Sequence, residues 1–374
     1  MNQSLWKGEF FDMKKYVGFY FSYSLIPELS ANSIAVVNQY SALRKHEKIL
    51  LFGIRNPKLS RENLRKFYNI DTDLDIVLLP KLVMNFSYFF YSVIALIYYF
   101  RYRPAFIYTR DIYISRLFCL VGIDNYYEIH QLDHNDDAFD KKFKHMLSRV
   151  KESIYLKKVI CVSYALKSEC EQFGFYPDKL TVFHSATGMT QDKNLLKEGN
   201  PNDRPKIVYT GSTQNGKGVE TVNSLAELLP EYDFIVVGGQ KGDLHNQSNM
   251  NLTHIPWISP GEVKRYLSLA DVCLLPNTVQ KYKFHSPLKL FDYMAHGKAI
   301  VASDMVGINE IIIDKYNGML VAPGDVFGYA EAIRTLLSDG ELKSTIESNA
   351  LETTKKYTWD RRALSILELV RSVC

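Results

Sequence analysis

Lys289 and Asp292 stand three residues apart, just after a Ser286–Pro287 pair, in the stretch FHSPLKLFDYMAHGKAIVASDMVGINE that runs from 284 to 310. Ser286 suits a helix N-cap, Pro287 suits the first helical position, and Gly297 sits where that helix would stop. AIVAS, residues 299–303, is then a short apolar run and reads as a buried strand. The first helical turn carries Lys289 and no Asp or Glu. A cation there opposes the helix dipole, at a cost of about 0.3–1 kcal/mol. A bound anion reverses that balance: free N–H groups, the dipole and Lys289 would together hold a phosphate. Asp292 falls on the same helical face, where a carboxylate suits two sugar hydroxyls such as those of a ribose. The alternative is a surface Lys289–Asp292 ion pair on an ordinary core helix.

A second candidate for anion binding begins at 206. KIVYTGS is a strand ending in Gly211, NGKGVETVNSLAELLPEY is a loop entering a helix, and FIVVGG is the next strand. Lys217 and Gly218 stand at the helix entrance, a phosphate site by geometry. The loop is neither a G-x-G-x-x-G fingerprint nor a Walker A, so by itself it is a weak signal. Further strands are expected at Leu252–Trp257 and Asp271–Pro276, with a helix over Pro260–Leu269 between them.

The first half must supply the other wall. Strand patterns at Tyr16–Tyr20, Lys48–Ile54, Asp75–Leu79, Ala105–Thr109, Tyr126–His130 and Val159–Ser163 alternate with helical ones, which argues for a parallel α/β sheet. Ligands of such sheets sit at the carboxyl ends of the strands. That places Ser22, Tyr23, Asn32, Arg110, His130 and Ser163 on the rim of one cleft. The polar run 191–205, with Gly199, Asn200, Pro201 and Pro205, is the natural linker.

Residues 286–297 resemble the nucleotide-binding signature of retaining glycosyltransferases of family 4, in the variant S-P-x-K-x-x-E-Y-M-A-x-G. Asp292 stands where Glu is usual, and Phe284 stands where many members have a first Glu. Lys217–Gly218 is similar to the end of the family's G-R-x-x-x-x-K-G loop, with Ser212 in place of the Arg. Y-E-x-H, ending in His130, resembles the segment whose histidine faces the donor sugar. Gly307 to Glu310 and NGMLVAPGD are similar to the family's G-x-x-E…N-G-x-L-V-x-P-x-D passage. HSATG, 184–188, departs from the family and is assigned no site residue.

The resemblance implies a GT-B fold: α/β, two Rossmann-like domains with an interdomain cleft. The domains would be 1–190 on the acceptor side, a linker 191–205, the nucleotide-sugar domain 206–356, and a C-terminal helix 357–374 crossing back to the first domain. It implies a transferase that moves a sugar, with retention, from a nucleotide diphosphate sugar, UDP-linked by expectation, to a glycan or lipid-linked acceptor. Donor contacts would come from Gly211, Ser212, Lys217, Gly218, Trp257, Ile258, Ser286, Leu288, Lys289 and Asp292. His130, Lys217 and Lys289 would act on the sugar and the departing phosphate, and Ser22, Tyr23, Asn32 and Arg110 would face the acceptor. Glu310 is expected to cap or orient a helix. No protein nucleophile, metal or cofactor is expected. The rival readings are a silent nucleotide-sugar-binding subunit of a transferase complex and a GT-B-fold UDP-sugar epimerase.

Bulk properties bound these readings. The chain has 374 residues, enough for two domains, and is 47% apolar with a net charge of +4, too mild to imply nucleic acid. Five scattered cysteines form no C-x-x-C, which fits a reducing cytoplasm. The first fifteen residues show no secretion signal. Residues 82–100 are uncharged, long enough to span a bilayer. Asn85, two serines, four tyrosines and the flanking strand patterns instead favour a core helix with an aromatic outer face. With five basic residues and one acid between Lys81 and Arg116, that face is also a candidate for peripheral contact with an anionic leaflet or a lipid-linked acceptor. DTDLD, 71–75, contains D-x-D twice and reads as a solvated loop rather than a cation site.

Overall fold

The computed structural model describes residues 16–57, 64–82, 84–132, 138–188, 203–244, 249–278 and 286–373. Two parallel sheets organise them. The first holds β1 (Gly18–Ile26), β2 (Ile49–Arg55), β3 (Ile76–Leu79), β4 (Phe106–Thr109), β5 (Asn125–Ile129), β6 (Leu156–Cys161) and β7 (Leu180–Val182). Their order is β3-β2-β1-β4-β5-β6-β7. The second holds β8 (Lys206–Thr210), β9 (Asp233–Val237), β10 (Leu252–Ile255), β11 (Val272–Leu275), β12 (Ala299–Ser303) and β13 (Met319–Val321), ordered β10-β9-β8-β11-β12-β13. In each sheet the order reverses beside the first strand, between β1 and β4 and between β8 and β11. Such switch points open a crevice at the strands' carboxyl ends.

The central strands are near-continuous apolar runs because helices cover both faces. FIYT, VCLL and AIVAS are buried at every position. The first domain's helices are α1 (Ala31–His46), α2 (Leu64–Tyr68), α3 (Met84–Tyr102), α4 (Ile112–Leu120), α5 (Ala138–Val150) and α6 (Tyr164–Gln172). The second has α7 (Val219–Leu228), α8 (Pro260–Leu269), α9 (Leu288–Ala295), α10 (Val306–Asn309), α11 (Val326–Ser338) and α12 (Gly340–Thr354). The last, α13 (Trp359–Val373), returns to the first domain: Trp359, Ala363, Ile366, Leu367 and Val370 pack into one core with Tyr40, Leu43 and Tyr126. Fold and resemblance agree: two Rossmann-like domains in the GT-B arrangement.

Several local expectations shift. The first strand runs on to Ile26, so Ser22 and Tyr23 lie within it rather than in a following loop. It is held there by pairing of Leu25 and Ile26 with Ile54 and Arg55 of β2. Residues 84–102 form α3, whose Phe89, Ile97 and Phe100 are more than half exposed. No described helix is long and apolar enough to cross a membrane. Two of the three DTDLD carboxylates are taken up by cations: Asp73 pairs with Arg65 at 2.7 Å and Asp75 with Arg44 at 2.6 Å. Most of the expected linker, 191–205, lies outside the described residues.

Candidate functional site

α9 begins one residue later than its sequence signals suggest. Pro287, not Ser286, occupies the cap position and makes no side-chain cap bond. The Ser286 hydroxyl instead accepts the backbone N–H of Ser185 at 3.0 Å, from the end of the first domain. Leu288 packs against the first domain's core. The helix that is expected to bind the donor therefore also joins the two domains, and tertiary contact supplies what the local cap does not.

Lys289 and Asp292 do not pair with each other. The Lys289 Nζ lies over the Tyr209 ring, 3.9 Å from its centroid. It is buried and has no hydrogen-bond partner among the described residues. Burial, and then the Lys217 ammonium, push its pKa well below the usual lysine range. Two cations from separate elements thus act on one spot where no described acid neutralises Lys289. Asp292 accepts the Thr187 hydroxyl at 2.6 Å through Oδ1. Burial raises its pKa to about 7, against the stabilising pull of that bond. Asp292, Leu288, Pro260 and Lys264 of the second domain line a pocket with Asn38 and Tyr68 of the first.

The loop between β8 and α7 owes its path to glycine. Gly211 has φ +125°, and a Cβ on the neighbouring Gly238 would stand 2.1 Å from the Gly211 carbonyl oxygen. Gly218 has φ +93°, and a Cβ there would meet the Pro276 carbonyl oxygen at 1.9 Å. Both positions require the left-handed region and close backbone approach. Tyr209 donates to the Ser212 carbonyl at 2.5 Å, and the Ser212 hydroxyl accepts from the Gln214 N–H at 3.2 Å. Trp257 is exposed beside this loop, its N–H bonded to the Gly239 carbonyl at 2.9 Å, with Ile258 following.

In the first domain, His130 follows β5 and sits between a carboxylate and a guanidinium. Its Nε2 lies 2.6 Å from Glu128 Oε1, and its Nδ1 lies 3.2 Å from the Arg110 guanidinium. Burial and Arg110 lower its pKa to about 4, outweighing the pull of Glu128. A neutral imidazole between a carboxylate and a guanidinium has one consistent tautomer: Nε2–H donates to Glu128 and Nδ1 accepts from Arg110. Glu128 is fully buried and is held below the usual carboxylate range, foremost by Arg362 of α13 at 3.0 Å. Arg362 also donates to the His184 carbonyl at 2.8 Å and to Gln39.

Both His130 nitrogens are engaged within the protein in this structure. Ser22, Tyr23 and Asn32 do not form one open polar rim. Ser22 is bonded to Ser24 at 2.7 Å, as is Asn32 at 2.8 Å, while Tyr23 stacks on Tyr88. Glu310 caps a helix across the domain boundary, accepting the Tyr164 and Ala165 N–H groups of α6 at 2.8 and 2.6 Å. Sequence reasoning passed over Tyr209, Thr187 and Ser185. The last two lie in HSATG, whose departure from the family pattern was the available signal.

Residues 204–339 match the family model for glycosyl transferases group 1. Among curated relatives, a D-inositol 3-phosphate glycosyltransferase of Xylanimonas cellulosilytica is 26% identical over 197 residues, covering 49% of this chain and 46% of its own length. An N,N'-diacetylbacillosaminyl-diphospho-undecaprenol alpha-1,3-N-acetylgalactosaminyltransferase of Campylobacter jejuni is 26% identical over 175 residues, covering 45% of each chain. The chain spans about half the length of the curated relatives it matches. In three dimensions the likeness of fold covers nearly the whole chain. HepE of Anabaena, in a structure with UDP, superposes with a TM-score of 0.74 at 15% identity, covering 95% of this chain and 99% of its own.

Proposed function

We propose that this protein is a retaining glycosyltransferase that takes a sugar from a nucleotide diphosphate sugar, most simply a UDP-sugar. The observation that carries the proposal is the buried Lys289 ammonium, without a hydrogen-bond partner among the described residues, in the first turn of α9. A buried cation without a counter-charge is costly, and a diphosphate would remove that cost. In this reading Lys289, Lys217 and the α9 N-terminus take the charge that builds on the departing diphosphate. Asp292 receives the ribose hydroxyls, with Ser286 and Leu288 setting the start of the helix. Gly211, Ser212 and Gly218 shape the phosphate loop, and the base lies toward Trp257 and Ile258. UDP in the HepE structure supports the choice of base, and the Campylobacter relative supports a lipid-linked acceptor.

Acceptor binding at the first domain, with peripheral membrane contact, is supported by α3. Its exposed Phe89, Ile97 and Phe100 stand beside exposed Arg101 and Arg103. Co-sedimentation with anionic but not neutral vesicles at low salt is expected; equal recovery in the supernatant with both would remove membrane contact from the proposal. A second reading, a nucleotide-sugar-binding subunit without its own turnover, is favoured by the engagement of both His130 nitrogens. Thermal shifts with UDP, GDP, ADP and their sugar conjugates, with and without EDTA, test the donor site. A large shift with one diphosphate, insensitive to EDTA, is expected. No shift with any of them overturns both readings, and binding without hydrolysis or transfer selects the second.

A further inference from the structure

Most lysines that bind phosphate reach it from solvent. Lys289 instead rests on an aromatic ring inside the domain. Its Nζ lies 3.9 Å from the Tyr209 centroid, close enough for a strong cation–π contact. Tyr209 is fully buried in the second domain's core, and its hydroxyl is tied to the Ser212 carbonyl, so the ring is not free to turn away. The adjoining residue on the ammonium's side is Gly211, where a Cβ would stand 3.4 Å from Nζ. β8 thus supplies a fixed ring on one side of the ammonium, and Gly211, just past its end, a bare backbone on another.

We propose that Tyr209 is a positioning residue for the donor diphosphate: its ring face holds the Lys289 ammonium in place and in its charged form before the donor arrives. The inference rests on the donor reading above and adds to it the residue that keeps the lysine ready. The need for such a device follows from the groups around Nζ. Lys217, from the loop before α7, acts on it with like charge. Asp292, on its own helix, is turned to Thr187. Asp243, from the loop after β9, receives the Thr213 hydroxyl and the Gln240 N–H. Tyr293 accepts from Thr210. With burial and Lys217 both opposing the charge, the ring quadrupole is the favourable contact to Nζ among the described residues. Without it the lysine would have to gain a proton as the diphosphate binds, and donor affinity would fall steeply as pH rises.

The test is calorimetric titration of wild type, Tyr209→Phe and Tyr209→Leu with UDP-glucose, GDP-mannose and ADP-glucose, from about pH 7.5 to about pH 9. These diphosphate diesters keep a constant phosphate charge over that range. Wild type and Tyr209→Phe, which both keep the ring face, should bind alike and lose less than about threefold in affinity across the range. Tyr209→Leu should bind about tenfold more weakly at the lower pH, with a steeper loss at the higher. Equal affinity and slope in a folded Tyr209→Leu, or equal losses in both variants, would overturn the inference while leaving the donor reading intact. Failure of all three ligands to bind wild type would overturn the donor reading first. Should Tyr209→Leu not fold, wild type carrying 13C at the lysine ε carbons decides: the Lys289 ε-methylene must show an upfield ring-current shift, and its absence refutes the contact.

Discussion

The cluster around His130 lies in the first domain and the cluster around Lys289 in the second, and both place ionisable groups out of water. The first is matched in charge. Glu128 is matched by Arg362 and His130, and His130 by Arg110. The second is open. Lys289 has a ring in place of an acid, and Asp292 has the Thr187 hydroxyl as its side-chain hydrogen-bond partner, with the Lys264 charge also favouring its ionised form. The difference shows in the two carboxylates and in the lysine. Glu128 is driven toward its charged form by its neighbours, whereas Lys289 and Asp292 are driven toward their neutral forms by burial. A buried polar group that is matched serves the fold; one that is left costly points to a ligand that would match it.

The sharpest way to break this comparison is to open the matched cluster. Glu128→Ala strands Arg362 beside Arg110, and should cost about 3–5 kcal/mol of stability by chemical denaturation. Donor affinity of the folded fraction should stay within about twofold; a large loss of affinity would mean the cluster is part of the donor site. Lys289→Ala should do the reverse. Donor affinity should fall about 100-fold, as expected for a charge-assisted contact to a diphosphate, with melting temperature unchanged or raised. Unchanged affinity would leave the lysine without a ligand role.

Asp292→Asn separates binding from stability at a single position. Burial raises the folded-state pKa above its unfolded value, so the ionised carboxylate opposes folding above about pH 7. The asparagine variant should therefore melt a few degrees higher, by about 2–4 °C, at pH 8 and not at pH 4, while binding donor about tenfold more weakly. Wild-type donor affinity should itself rise as pH passes up through about 7, because ribose hydroxyls need the ionised form. A flat profile would remove Asp292 from the ribose role. The smallest effect is expected at His130. Its folded-state pKa lies below the ordinary histidine value, so its contribution to stability is lost as pH falls from about 6.5 toward 4. Nitrogen NMR should report neutral imidazole with the proton on Nε2 down to about pH 5; an Nδ1–H tautomer would contradict this arrangement.

The sequence by itself determined the layering. Alternating apolar runs and helical patterns dictate two parallel sheets, because strands buried on both faces must be apolar throughout and need helices to cross over. It also located Lys289, Lys217 and Asp292, since a cation in a helix's first turn and a Lys-Gly at a loop-to-helix entrance are local patterns. Tertiary structure decided what each of those groups meets. Lys289 and Asp292, three residues apart, read as a possible ion pair, yet β8 carries Tyr209 to one and residues 185–187 carry Thr187 to the other. The same is true of His130: Y-E-x-H marks the histidine, but Arg362, far along the chain on α13, fixes Glu128 and through it the imidazole. Spacing along the chain specifies which face of an element a side chain occupies. Only the packing of distant elements specifies whether its charge is answered.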